Sequence, residues 1–252
     1  MESSTFSIGI IFNAFVSGIV AAAAIALVFF LFKRYRKLHS TMRAYAWFWF
    51  FTALVWIPLS IRYLFIGFGS TGQWPHYFDI LLQFAVFLGG LPLIYYIGLR
   101  VFNDQWLAGA MGLASILPIA TALWLILQPG GLIAQEITFF SAETIINTGS
   151  LIIFNVEGGL LLALLIYDII IHLNQWRKSH IRQTFYRALY SLAIVIYLAL
   201  GILEQSGLVN DWTLVVFRIL YAATFLFVYL LITQHEAADE TYFQEEANIA
   251  AV

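Results

Sequence analysis

Seven uninterrupted apolar stretches, each long enough to cross a lipid bilayer, leave this chain few ways to fold. They lie at roughly 8–32, 45–67, 77–99, 106–128, 148–172, 185–205 and 212–233, each near the ~20 residues that ~30 Å of hydrocarbon requires. Inside lipid every backbone N–H and C=O must be satisfied within its own segment, so runs of this length are helices. The alternating pattern of an outer-membrane barrel is absent. Composition agrees: 62% of residues are hydrophobic and 10% charged, against about a quarter charged in soluble domains. The first run has no basic residue before it and a basic cluster after it, which marks a retained helix rather than a cleaved leader. The expected fold is all-α and polytopic, with a seven-helix transmembrane domain over residues 1–234 and an acidic cytoplasmic tail over 235–252.

Orientation follows from the basic residues. Ten of the twelve fall in alternate loops: Lys33, Arg34, Arg36, Lys37 and Arg43; Arg100; and Arg177, Lys178, Arg182 and Arg187. Cytoplasmic loops carry such an excess, which puts the N-terminus outside and the C-terminus inside. The loops at 68–76, 129–147 and 206–211 contain no Lys or Arg, but hold Glu136, Glu143 and Asp211. The longest of them has turn residues followed by short alternating stretches, consistent with a hairpin or short helix over the outer mouth. The closing HEAADETYFQEEANIAAV has five acids and no base, and reads as a solvated end.

The remaining two basic residues, Arg62 and Arg218, lie within the apolar runs. Counting from segment midpoints at 1.5 Å per residue places Glu157 roughly 4–5 Å and Arg218 roughly 6 Å outward of the bilayer centre. Arg62, Gln83, Asn155 and Asn13 fall in the same half, and Asp79 and Glu204 fall at its outer helix ends. A charge at the centre of a helix costs at least ~2.5–3.5 kcal/mol, so such residues face the bundle interior or a wet cavity and pair. Glu157, Arg218, Arg62, Asp79, Gln83, Asn155 and Glu204 are therefore the candidate ligand-binding or switch residues, around a polar cavity open to the outside. A structural ion pair that fixes helix register is the competing role, and Gln83 and Asn155 also suit interhelical hydrogen bonds. Asp168 lies near the cytoplasmic interface with His172 one turn later, as an interfacial pair or a proton relay.

Other features bear on packing. Ala108 with Gly112, and Ala110 with Ala114, repeat small residues at the spacing that lets helices approach closely. Pro58, Pro92 and Pro118 fall inside three consecutive helices, where each removes a backbone bond. The run WFWFF at 47–51, with Trp56, reads as an interfacial or lipid-facing belt, or as an aromatic wall for a flat ligand.

Several chemistries lack their residues. Without cysteine there are no disulfides, iron–sulfur clusters or thiolate zinc sites. His39, His76, His172, His180 and His235 all lie in loops, the tail or the inner interface, so no helix offers a haem ligand and no two share the outer half as a zinc site would require. Neither HExxH nor GxSxG occurs. No cofactor, no metal and no nucleic-acid partner is expected, and enzyme activity is not.

Seven helices, an outside N-terminus and an interior charge on the last helix resemble the layout of microbial rhodopsins. Lys33, Lys37 and Lys178 all lie in loops, however, and helix seven reads FRILYAATFLF, so a retinal Schiff base is not implied. In topology and aromatic-rich texture the chain more closely resembles the seven-helix sensor region found ahead of some bacterial histidine kinases. That resemblance implies a sensor in a bacterial inner or plasma membrane that signals through a separate cytoplasmic or membrane protein partner. The expected function is a receptor whose outer cavity binds a small anionic or amphipathic ligand, or responds to protonation. A small secondary transporter, with Glu157 and Asp168 as stations on a path, and an accessory subunit of a membrane complex are the alternatives.

Overall fold

The structure is a computed structural model and describes residues 6–70, 73–134, 137–209 and 211–250. Seven helices are long and apolar enough to cross a membrane, making the chain a multi-pass, all-α membrane protein. They are α1 (Ile8–Lys33), α2 (Ser40–Gly67), α3 (Gln73–Phe102), α4 (Gln105–Leu127), α5 (Thr148–Ser179), α6 (Arg182–Gln205) and α7 (Asp211–Ala250). Most run beyond the apolar limits read from the sequence, because a helix does not stop where the hydrocarbon does. α7 is the extreme case: it continues through the segment expected as a solvated tail, where Ala, Glu and Gln favour extension of a helix already nucleated.

Consecutive helices pack on one another, α7 closes on α1, and α3 also meets α5. The segment between α4 and α5 forms an antiparallel hairpin of β1 (Leu132–Ala134) and β2 (Thr144–Ile146), in register from Leu132–Ile146 to Ala134–Thr144. Glu136, noted above in this loop, lies outside the described residues. Side chains at helix ends hold the corners. Asp104 caps α4 by accepting from the N–H of Trp106 and Leu107, and Asn147 caps α5 by accepting from Ser150 N–H.

The α3–α4 crossing depends on Gly98. A Cβ there would sit 2.7 Å from the Cα of Ala108, which is fully buried. The small-residue stripe of α4 thus serves packing at Ala108, whereas Gly112 meets nothing within 4 Å.

The aromatic run of α2 divides between surface and core. Trp47 is 38% exposed, whereas Phe48, Trp49 and Trp56 are buried, so the belt expected from the sequence is mostly interior. Buried and partly buried rings form a column through the bundle. Trp56 and Tyr221 lie 4.7 Å apart, Tyr221 and Tyr197 5.0 Å, Tyr197 and Trp49 5.6 Å, and Trp49 and Tyr45 5.8 Å. Tyr45 then meets Tyr96 at 5.4 Å and Tyr190 at 5.5 Å, near the basic-loop end. Most of these pairs are edge-to-face or tilted, the arrangements the ring quadrupole favours.

Candidate functional site

At the hairpin end, buried charges from four helices meet the loop. Arg218 on α7 has no exposed surface and donates to Glu204 Oε1 at 2.6 Å and Glu143 Oε1 at 2.9 Å. Its guanidinium carbon lies 5.1 Å over the Trp56 ring. Tyr221 donates to Glu204 Oε2 at 3.1 Å, and Tyr63 donates to Glu143. Arg62 on α2 pairs with Asp79 on α3, Nε to Oδ1 at 2.6 Å. Thr144 joins that pair, accepting from Arg62 Nη2 at 2.6 Å and donating to Asp79 Oδ2 at 3.0 Å.

The hairpin is thus tied into the bundle by β2. Its loop is fastened separately: Asn13 donates to the Phe140 carbonyl at 2.7 Å, and Asp211 accepts from Thr138 Oγ1 and Phe140 N–H. Gly9 on α1 lies under Phe139, whose carbonyl and ring occupy the space a Cβ would need.

Beneath the hairpin lies a cavity of about 120 Å³, room for several waters or a small organic molecule. α2, α3, α5, α6 and α7 wall it. Its lining on α3 runs from Asp79 to Leu93, fourteen residues or about 21 Å of helix, so it is an elongated slot. The end at the hairpin carries Asp79, Glu143, Glu204 and Arg218, whereas the far end is walled by Phe48, Val55, Gly90, Leu93 and Leu161. Pro58 and Pro92 lie beside these walls, where each removes a bond from its helix ladder.

The structure therefore gathers Arg218, Glu204, Asp79, Gln83 and Glu157 around one cavity, with Arg62 bound to its wall through Asp79. Asn155 does not belong: it is exposed on α5 and lies outside the lining. At about 100° per residue it points roughly 200° away from Glu157, while Phe154, Glu157, Gly158 and Leu161 form the face turned inward. Glu157 differs from the pairing expected by depth. Arg218 is taken by Glu204 and Glu143, and Glu157, half-buried at the cavity edge, has no hydrogen-bond or ion-pair partner among the described residues. Gln83 is 3% exposed and its Oε1 also lacks a partner there. α6 takes part through Glu204, already among the candidates, and the site gains Glu143 as a ligand of Arg218. An acid with no base in its own long loop was the only sequence signal for the latter.

At the opposite end Asp168, 3% exposed, accepts from Arg100 Nη2 at 2.8 Å and Ser191 Oγ at 2.6 Å, with His172 Nε2 at 3.2 Å. Arg100 also donates to the Arg187 carbonyl, tying α3, α5 and α6 together. Trp56, Tyr221 and Tyr197 of the aromatic column line the cavity, and its inner rings, Tyr45, Tyr96 and Tyr190, stand on the side toward this cluster. Among the described residues no group of three or more His, Asp or Glu is placed to hold a metal ion. No protein family, curated protein or solved structure matches the chain.

Proposed function

We propose that this protein is a receptor or sensor of a cell's inner or plasma membrane, with a small amphipathic ligand in the slot beneath the hairpin as its input. The hairpin end faces outward and the basic loops face the cytoplasm, by the distribution of Lys and Arg. The observation that carries the reading is the shape of the cavity: polar at the hairpin, apolar at its far end, and followed toward the Asp168 cluster by the packed inner rings of the aromatic column, Tyr45, Tyr96 and Tyr190. A carrier needs a path that opens to both sides, and this column of Trp and Tyr argues against one joining Glu157 to Asp168. Ligand contact has a route to the helices, because Asp79, Glu143, Glu204 and Arg218 line the slot and also join α3, the hairpin, α6 and α7. Output would pass to a separate cytoplasmic or membrane protein partner.

A neutral probe tests this without assuming the ligand's charge. Binding of 2-phenylethanol to the full chain in lipid nanodiscs is expected to saturate, and to disappear in Ala85→Phe, which fills the slot from α3. Proteoliposomes are expected to show no protein-dependent flux of the same probe. Non-saturable uptake, equal binding by Ala85→Phe, or flux above that of empty liposomes would each refute the reading.

A further inference from the structure

The charge count around the slot points to the class of ligand. Four carboxylates, Asp79, Glu143, Glu157 and Glu204, line it, against one guanidinium in the lining, Arg218, and a second, Arg62, just behind. Both arginines are engaged. Arg62 is bound by Asp79 and Thr144, and Arg218 by Glu143 and Glu204, so each positive charge is already matched by carboxylate, although Arg62 Nη1 and Arg218 Nε keep an unpartnered N–H. The anionic ligand that two intramembrane arginines suggest in the sequence is thereby disfavoured: an entering carboxylate or phosphate would meet a surplus of negative charge in a low-dielectric space.

Beside the unpartnered Arg218 Nε and Gln205 Oε1 at the hairpin end, two acceptors of the lining lie together in depth. Gln83 is ten residues into α3 and Glu157 nine residues into α5, both counted from the hairpin end, so they sit at nearly the same level at 1.5 Å per residue. Both line the slot, just below the ion-pair cluster and above its apolar floor. Gln83 is more than nine-tenths buried with its Oε1 unpartnered, and Glu157 has no partner among the described residues. A carboxylate and an amide oxygen facing one space are acceptors in want of a donor, and their net charge asks for a positive one. Below them Phe48, Leu93 and Leu161 offer only apolar surface.

We propose that the slot binds an organic cation: a primary or secondary amine whose ammonium donates to Glu157 and Gln83 while its apolar body points toward Phe48, Leu93 and Leu161. This rests on the receptor reading above and specifies the ligand class of the same cavity. An amine fits better than a bare metal ion because the slot continues about 15 Å beyond Gln83, to Leu93, along a mostly apolar wall in which Thr52 offers a hydroxyl and no described residue a carboxylate.

The test compares three probes of matched shape, phenethylamine, 2-phenylethanol and 3-phenylpropanoate, by titration calorimetry on the full chain in nanodiscs of zwitterionic lipid at fixed ionic strength. Phenethylamine is expected to bind about 10- to 100-fold more tightly than the alcohol, the span of one charge-assisted hydrogen bond, with the carboxylate weakest. Glu157→Gln is expected to bring the amine-to-alcohol ratio to about one, and Asp168→Asn, at the far end of the bundle, to leave it unchanged. A carboxylate that binds as well as the amine, an undiminished ratio in Glu157→Gln, or Na⁺ or K⁺ displacing the amine competitively at millimolar concentration would overturn the proposal. Those results leave the receptor reading standing if the alcohol still binds in the slot. Failure of all three probes to bind overturns both.

Discussion

Removing Arg218 is the sharpest perturbation of the packing described here. It has no exposed surface and holds two carboxylates at 2.6 and 2.9 Å. In Arg218→Met the side chain keeps its approximate volume and loses its charge. Glu143 then retains only the donor from Tyr63, and Glu204 only that from Tyr221. Deleting one partner of a buried ion pair costs about 3–5 kcal/mol, mostly the burden of the charge left behind. For a chain of this size that corresponds to a melting temperature lower by roughly 6–20 °C. The triple variant Arg218→Met, Glu143→Gln, Glu204→Gln leaves no charge unpaired and is expected to recover all but about 1–2 kcal/mol. Unfolding by SDS titration in mixed micelles, followed by far-UV circular dichroism, measures both. If Arg218→Met loses less than about 1 kcal/mol, or the triple variant is no more stable than the single one, the reasoning from buried pairing is wrong.

Three further outcomes are expected. Gly98→Leu, forced against Ala108, should cost about 1–3 kcal/mol or more, while Gly112→Leu, with open space before it, should stay within about 0.5 kcal/mol; thermal unfolding of the pair compares them. Asp168→Asn leaves the Arg100 guanidinium without its carboxylate and should lower stability by about 1–3 kcal/mol, read from the same SDS titration. The chain has no cysteine, so single replacements report topology directly: in intact cells an impermeant maleimide should label Ser206→Cys and spare Ser179→Cys, both exposed in the structure.

Helix number and rough placement were legible because hydrocarbon thickness sets a length that a sequence either meets or does not. Which polar residues gather was also legible, through the cost of burying charge: Arg62, Asp79, Gln83, Glu157, Glu204 and Arg218 all stand at or beside one cavity. Their partners were not. Counting along a helix gives depth and leaves the angle about the bundle axis open, so Glu157 and Arg218 share a level without being paired. Asn155 shows the same limit on a single helix, where the 3.6-residue period separates it from the inward face of Glu157. Glu143 illustrates a different one. A loop residue has no depth by helix counting, and only the hairpin's return into the bundle brings it to Arg218. The aromatic run was misread in part because composition does not tell lipid from protein interior: both are apolar, and Trp49 with Trp56 satisfies either.

Fastening the hairpin over the slot has a consequence for timing as well as for shape. Glu143 and Thr144 are held by Arg218, Tyr63, Arg62 and Asp79, so passage past the hairpin requires several of these bonds to open together. With hydrogen bonds to charged groups worth about 1.5–3 kcal/mol each, two broken at once slow exchange by about 10²- to 10⁴-fold. Entry and exit are slowed alike, which leaves affinity untouched and lengthens residence. On the proposed receptor reading, the protein would average its surroundings over the dwell time of one bound molecule and would not follow each fluctuation in concentration.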